Sequence, residues 1–262
     1  MLYPLFGSPR LPKTEKSQQR KINLSGTVVR FSVPPFYDRW GSQRSFAEQF
    51  NLYSASDYLR EDDFSPVIQC YTSRWDIKGA PLLKKNIGWI RFSVTVSNWK
   101  GKSNLFKRDS FVTAVTSYYE KMYGPKGVHT KDTYETFLEW KPDKINESQW
   151  IHYLNVKDPE DEPSQRLYWQ IPLSDEHYLT FNFSYQIFNK KIGVHNAVKS
   201  FAQKIMHSVH IELSPSAQQQ KEAAEKQWPG QRYSEHMEPL RWIRPKKDFM
   251  SIEEFLAEDD EL

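Results

Sequence analysis

Cysteine is almost absent from this chain: Cys70 is the only one in 262 residues. No intrachain disulfide can form, so the fold needs no oxidising compartment. Long apolar runs are missing as well, and none approaches the ~20 residues that cross a bilayer as a helix. The N-terminal "MLYPLFGSPRLPKTEKSQQRK" has neither the charged start nor the unbroken apolar stretch of a signal peptide. The expected location is the cytoplasm, or the periplasm if a targeting segment has been removed. Charge of one sign is scarce too. The net charge is +3, with acids and bases interspersed, which argues against nucleic acid as a partner, because its binders carry a clustered basic face. Neither G-x-x-x-x-G-K-[ST] nor G-x-G-x-x-G occurs, so nucleotide binding by a glycine loop has no support.

Aromatic residues are what the chain has in quantity. They make up 15% of it, including nine Trp, beside a modest 38% of hydrophobic residues overall. Large rings bury much area each, so they offset the shortage of aliphatic side chains in a core. A folded domain is expected over residues 21–213. A flexible arm of residues 1–20 precedes it, and a C-terminal extension of residues 214–262 follows, with a helix, an aromatic loop and an acidic tail.

Periodicity sets the element types. Strands are expected around Ile22–Val33, broken near Ser25-Gly26 and ended by Pro34-Pro35, where proline offers no ladder donor. A short helix is expected over Ser42–Leu52. Two stronger strands follow, Ser65–Ile77 and Ile87–Trp99. In the second, Ile90, Phe92, Val94 and Val96 alternate with Trp89, Arg91, Ser93, Thr95 and Ser97, as in a sheet with one covered face. Helical spacing then places Phe111, Val115, Tyr118, Tyr119 and Met122 together, with Asp109 as N-cap and Gly124-Pro125 as the stop. Four strand-like runs separated by turn signals read as an antiparallel meander. A helix with Val194, Val198, Phe201, Ala202 and Ile205 on one face and a short strand, "VHIEL", close the core. The fold class implied is α+β, a mainly antiparallel sheet with helices packed on its faces in a three-layer sandwich.

The entry "GTVVRFSVPPF" (Gly26 to Phe36) and the closing "YLTFNFSYQI…AVKSFAQKIMHSVHIEL" together resemble the Mog1/PsbP/DcrB-like fold over roughly residues 21–213. The central "SRWDIKGAPLLKKNIGWIRFSVTV" (Ser73 to Val96) is similar to a family of poorly characterised proteins of Gram-negative bacteria, whose genes often sit beside contact-dependent toxin systems, type VI secretion above all. That resemblance implies a non-enzymatic immunity protein that neutralises a cognate toxin by binding it. The alternative it implies is an adaptor or chaperone that loads an effector for secretion.

Catalytic signals are weak. His207 and His210 lie three apart, but the expected helix-to-strand change falls between them, and zinc needs a third ligand. The acidic "KDPEDEP" (Lys157 to Pro163) has oxygens but no glycine at an EF-hand turn position. No G-x-S-x-G turn is present, and Cys70 sits in an apolar run as a small buried hydrophobe. No metal or cofactor is expected. Binding asks for less. Arg74 and Asp76 share one strand face, with Trp75 on the other: either a local ion pair at a strand end or the rim of a recognition surface. The segment "QWPGQRYSEHMEPLRWIRP" is rich in the residue types that anchor interfaces. The candidate partner contacts are therefore Arg74, Asp76, Trp228, Tyr233, Arg241 and Trp242, together with the acidic "SIEEFLAEDDEL". The expected partner is a toxin or effector protein.

Overall fold

A computed structural model describes residues 9–36, 47–58, 66–79, 86–124, 133–158, 164–188 and 193–242. In chain order the elements are β1 (Gln18–Leu24), β2 (Thr27–Val33), β3 (Gln49–Phe50), β4 (Val67–Lys78), β5 (Asn86–Asn98) and α1 (Arg108–Tyr123). These are followed by β6 (Tyr134–Ile145), β7 (Ser148–Lys157), β8 (Ser164–Pro172) and β9 (His177–Ile187), and then by α2 (Val194–Met206), β10 (His210–Glu212), α3 (Pro215–Gln227) and β11 (Leu240–Trp242).

The strands form two sheets. A seven-stranded one runs β11-β6-β7-β8-β9-β5-β4, and a four-stranded one runs β10-β2-β1-β3. Every pairing is antiparallel except the two-residue contact of β1 with β3. The class is α+β, and the expected meander is the run β6 to β9. The closing strand β10 joins β2 in the small sheet rather than the large one. At the first hairpin Ser25 and Gly26 both have positive φ, 50° and 93°, the two-residue turn whose twist matches flanking strands.

Each face of the large sheet has its own core. On one face Phe31 of β2 sits among Tyr71, Phe92 and Phe181, with ring centroids 5.4 to 5.8 Å away. The small sheet and the apolar stripe of α2 (Val194, Val198, Phe201, Ala202, Ile205) complete that core. On the other face α1 lays Phe111, Val115 and Tyr119 over Phe137, Tyr153, Tyr168 and Tyr178. Tyr118 and Met122, expected inward, are only partly buried at its margin. Alternation along β7 feeds both cores: Trp150 and Leu154 belong to the first, Ile151 and Tyr153 to the second.

Two local expectations are corrected. Residues 42–46 lie outside the described residues, and Gln49–Phe50 is a strand rather than the end of a helix. There the ladder with β1 and side-chain bonds win: Asp57 accepts from Asn51 N at 2.7 Å, and Asn51 accepts from Tyr53 N at 3.0 Å. The N-cap of α1 is Lys107, not Asp109. Asn104 turns the chain earlier, accepting from Phe106 N on its side chain at 2.9 Å and from Lys107 N on its carbonyl at 3.1 Å. Asp109 instead places a carboxylate in the first turn, where the helix dipole favours it.

The two ends of the described residues are tied in. Arg10 exchanges both backbone bonds with Lys78 at the end of β4. At the other end Ser214 caps α3 by accepting from Ala217 N at 3.2 Å, and β11 extends the large sheet at β6. No helix among the described residues is long and apolar enough to cross a membrane.

One core side chain makes the fold sensitive to pH. His152 is fully buried, stacked on Trp169 at 4.1 Å, and its Nδ1 lies 2.9 Å from the Tyr168 carbonyl. Its Nε2 has no partner among the described residues. Burial pushes its pKa down to about 4. The unfolded chain, with an ordinary pKa near 6.5, binds that proton more readily. The contribution is therefore complete above about pH 6.5 and lost as pH falls toward 4, at ~1.4 kcal/mol per unit of difference. Urea unfolding between pH 7.5 and 4.5 is expected to show a loss on the order of 2 kcal/mol that His152→Phe largely removes. An unchanged slope in that variant would refute the assignment.

Candidate partner-binding face of the large sheet

The register of β4, β5, β9 and β8 lines up one row of side chains on the α1 side of the sheet. Arg74 stands opposite Arg91, Arg91 opposite Ser184, and Ser184 opposite Arg166. The neighbouring row holds Asp76, Trp89 and Gln186. Helix α1 covers the Arg166 end, where Tyr168 beside it raises the already high pKa of the guanidinium. The β4–β5 end is open: Arg74, Asp76 and Arg91 are exposed, and Trp89 is half-buried.

Both open arginines gather on one ring. The Arg74 guanidinium carbon lies 4.8 Å from the Trp89 ring centroid and that of Arg91 lies 6.0 Å from it. Neither guanidinium meets a carboxylate among the described residues. Asp76 does not pair with Arg74, so the local ion pair weighed from sequence does not form. Like charges directly opposite on a ladder are destabilising, and each exposed cation–π contact returns only about 0.5–1 kcal/mol. The arrangement does little for the fold. It does present two exposed guanidinium groups beside one indole. Such a surface suits carboxylates, which a guanidinium grips through two parallel hydrogen bonds.

The other four candidate residues lie elsewhere. Tyr233 is buried at 7% exposure, 6.2 Å from Phe111 and 5.6 Å from the Arg108 guanidinium carbon. Burial pushes its pKa up, and it closes the second core, so its assignment as a partner contact is withdrawn. Trp242 is half-buried against the same core, and Arg241 pairs with Glu135 at 3.2 Å. Both sit on β11, at the opposite edge from β4. Trp228 lies 5.6 Å from the Lys107 ammonium and lines a crevice of about 170 Å³ with Arg108 and Arg232. Folding the C-terminal aromatics back removes apolar area from water, which explains why they cover their own domain. The acidic segment 251–262 lies outside the described residues. Trp89, Arg91 and Arg166 were missed as candidates. Alternation placed Trp89 and Arg91 on the polar face of β5, but only the pairing with β4 brings Arg74 over the same ring.

Groups suggestive of catalysis hold loops together. Ser174 Oγ is 2.9 Å from Nδ1 of His177. Its Nε2 lies 3.1 Å from both the Leu52 carbonyl and the Tyr58 hydroxyl and 3.0 Å from Asn98 Nδ2. The Ser174 hydroxyl oxygen in turn accepts from the backbone N–H of Glu176 and of His177, at 3.2 and 3.0 Å. Both side chains are buried, which denies substrate access to the pair. Cys70 is buried with its thiol pushed up to about 12 by burial, the opposite of an activated nucleophile. His207 is the C-cap of α2 and His210 opens β10, and among the described residues no group of three His, Cys, Asp or Glu side chains could hold a metal ion.

No family model matches the chain, and no curated protein matches it either. Among solved structures it is similar to the Ran-binding protein Mog1p of Saccharomyces cerevisiae, at 13% identity over 74% of this chain and 95% of that one, with a TM-score of 0.31. It is likewise similar to the immunity protein TplEi of the T6SS of Pseudomonas aeruginosa, in its apo structure, at 12% identity over 77% of this chain and 100% of that one, with a TM-score of 0.32. Mog1p carries the fold that the sequence resembles. The α+β architecture rests on the strand pairing itself, not on either likeness.

If Arg74 serves recognition rather than the fold, Arg74→Thr relieves the cross-strand repulsion and loses one ring contact. Stability is expected to stay within about 0.5 kcal/mol of the parent by urea unfolding. A loss above roughly 2 kcal/mol would assign the residue to the fold instead.

Proposed function

We propose that this chain is a toxin-neutralising immunity protein, of the kind associated with type VI secretion, that acts by stoichiometric binding. The observation that carries this reading is the exposed Arg74–Trp89–Arg91 group, two guanidinium groups on one indole with no carboxylate partner among the described residues. Trp and Arg are the side chains that dominate interface energetics when a partner desolvates them. The sequence resemblance adds support, because the stretch that carries it, Ser73–Val96, spans most of β4–β5 and contains all three residues.

The mechanism is occlusion. A basic, aromatic patch steers toward an acidic surface around the toxin's active site or its entrance, and complementary charge raises the association rate. Burial of Trp89 and pairing of both arginines with carboxylates then slow dissociation. An adaptor that holds an effector's apolar segment needs a continuous apolar groove. The exposed large hydrophobics among the described residues lie on three separate segments: Tyr53 in the turn after β3, Phe188 just past the end of β9, and Leu240 on β11.

Co-expression with a candidate toxin, sought among the products of the neighbouring genes, tests the reading. The parent chain is expected to restore growth and to co-elute with the toxin on size exclusion. Trp89→Ala is expected to weaken the complex about tenfold or more, and Arg91→Glu about a hundredfold, as for residues at the centre of an interface. Absence of both protection and complex formation by the parent chain, or full affinity in Arg91→Glu, contradicts it.

A further inference from the structure

The open face ends at an open edge. β4 is the last strand of the large sheet, and its backbone directions follow from its partner. Asn98 N–H donates to Pro66 O at 3.0 Å, so the even-numbered residues of β5 point their backbone groups at β4. Opposite them, Tyr71, Ser73, Trp75 and Ile77 face β5. Thr72, Arg74, Asp76 and Lys78 therefore face outward. Lys78 confirms the assignment, exchanging bonds of 2.8 and 3.0 Å with Arg10 on that side.

This contact also shows that the edge accepts a strand, and the sequence explains why it accepts so little of its own. Continuing antiparallel from Arg10 opposite Lys78, residue 12 would pair with Asp76. Residue 12 is proline, which has no N–H to donate. The ladder stops after one bridge, and no backbone partner meets the outward groups of Thr72, Arg74 and Asp76 among the described residues. Exposed edges of this kind are templates for an added strand.

We infer that the edge of β4 from Thr72 to Asp76 receives an extended, acidic segment of the partner protein as an added strand. This inference rests on the proposed binding face and says how the partner is held. Alternate side chains of an added strand project on the α1 side of the sheet, next to Arg74 and in reach of the arginine row. Charge complementarity selects carboxylates at those positions. It disfavours a second copy of this chain, whose edge would bring Arg74 toward another Arg74. The main-chain ladder supplies affinity, and the arginines supply selection.

The probe is a short synthetic peptide of alternating glutamate and valine, titrated into the full chain by calorimetry and followed by amide exchange. The alternating peptide is expected to bind at least tenfold more tightly than one with lysine in place of glutamate, or one with the same residues in two blocks. The amides of Thr72, Arg74 and Asp76 should gain protection, whereas those of Ser73 and Trp75, already bonded to β5, should not change. Thr72→Pro removes one outward N–H and leaves the arginines in place. It is expected to weaken the peptide at least tenfold, with Thr72→Val at parent affinity. Loss in Arg91→Glu with parent affinity in Thr72→Pro keeps the face and overturns the edge. Loss in Thr72→Pro with parent affinity in Arg91→Glu keeps the edge and removes its acidic selectivity. If Thr72→Pro fails to fold, the exchange pattern of the parent chain decides. No peptide binding, or an edge-dependent dimer in sedimentation, overturns the inference.

Discussion

The second face of the large sheet carries one long helix, which crosses four of its seven strands. Helix α1 is laid from Tyr178 on β9 to Tyr134 on β6 and goes no further. The returning C-terminal segment reinforces the same side, with Tyr233 under α1 and β11 against β6. The β4–β5 corner is left to solvent. A polar surface there is what the geometry requires, but a pair of opposed arginines on one tryptophan is more than it requires. That surplus is the basis for placing recognition at this corner.

The opposite face is closed, and its polar residues are engaged in closing it. Glu139, at φ 54°, lies in the second of two register shifts that interrupt the β6 ladder, between Leu138 and Lys141. There it reaches Lys199 of α2 at 2.5 Å and lies 3.6 Å from His195. The Lys199 ammonium outweighs partial burial and holds the Glu139 carboxyl below its usual range. His195 and Gln165 also contact the buried Tyr185 hydroxyl. A backbone departure in β6 thus serves to pin α2 over the first core. Strain of this kind often marks function; here it has a visible structural purpose.

Much of the fold was legible in sequence because burial writes itself as a period. The alternation along β5 separated Phe92 and Val94 from Trp89 and Arg91, the stripe of α2 named its buried face, and the turn signals at Asp158 and Ser174 separated β7, β8 and β9. Lys141-Pro142-Asp143, which also reads as a turn, instead lies inside β6 and pairs with β7; the turn between them is Asn146-Glu147. What periodicity does not encode is the partner of each strand. Nothing local says that β10 returns to β2, that Gln49–Phe50 adds to β1, or that Arg74 stands opposite Arg91. The candidate site suffered most from this. Arg74 and Asp76 were found because they are neighbours on one strand, while Trp89 and Arg91 needed the ladder. Tyr233 was misjudged because an aromatic that wraps inward and one that meets a partner have the same composition.

Side-chain footprinting of Trp89 tests the central claim most directly. With hydroxyl radicals, oxidation of Trp89 in the free chain should fall severalfold on addition of the toxin proposed as its partner, while Trp228, at the crevice beside α1, should oxidise at an unchanged rate. Undiminished oxidation of Trp89 in a complex that protects Trp228 or Trp242 would move the interface to the C-terminal segment and contradict the account.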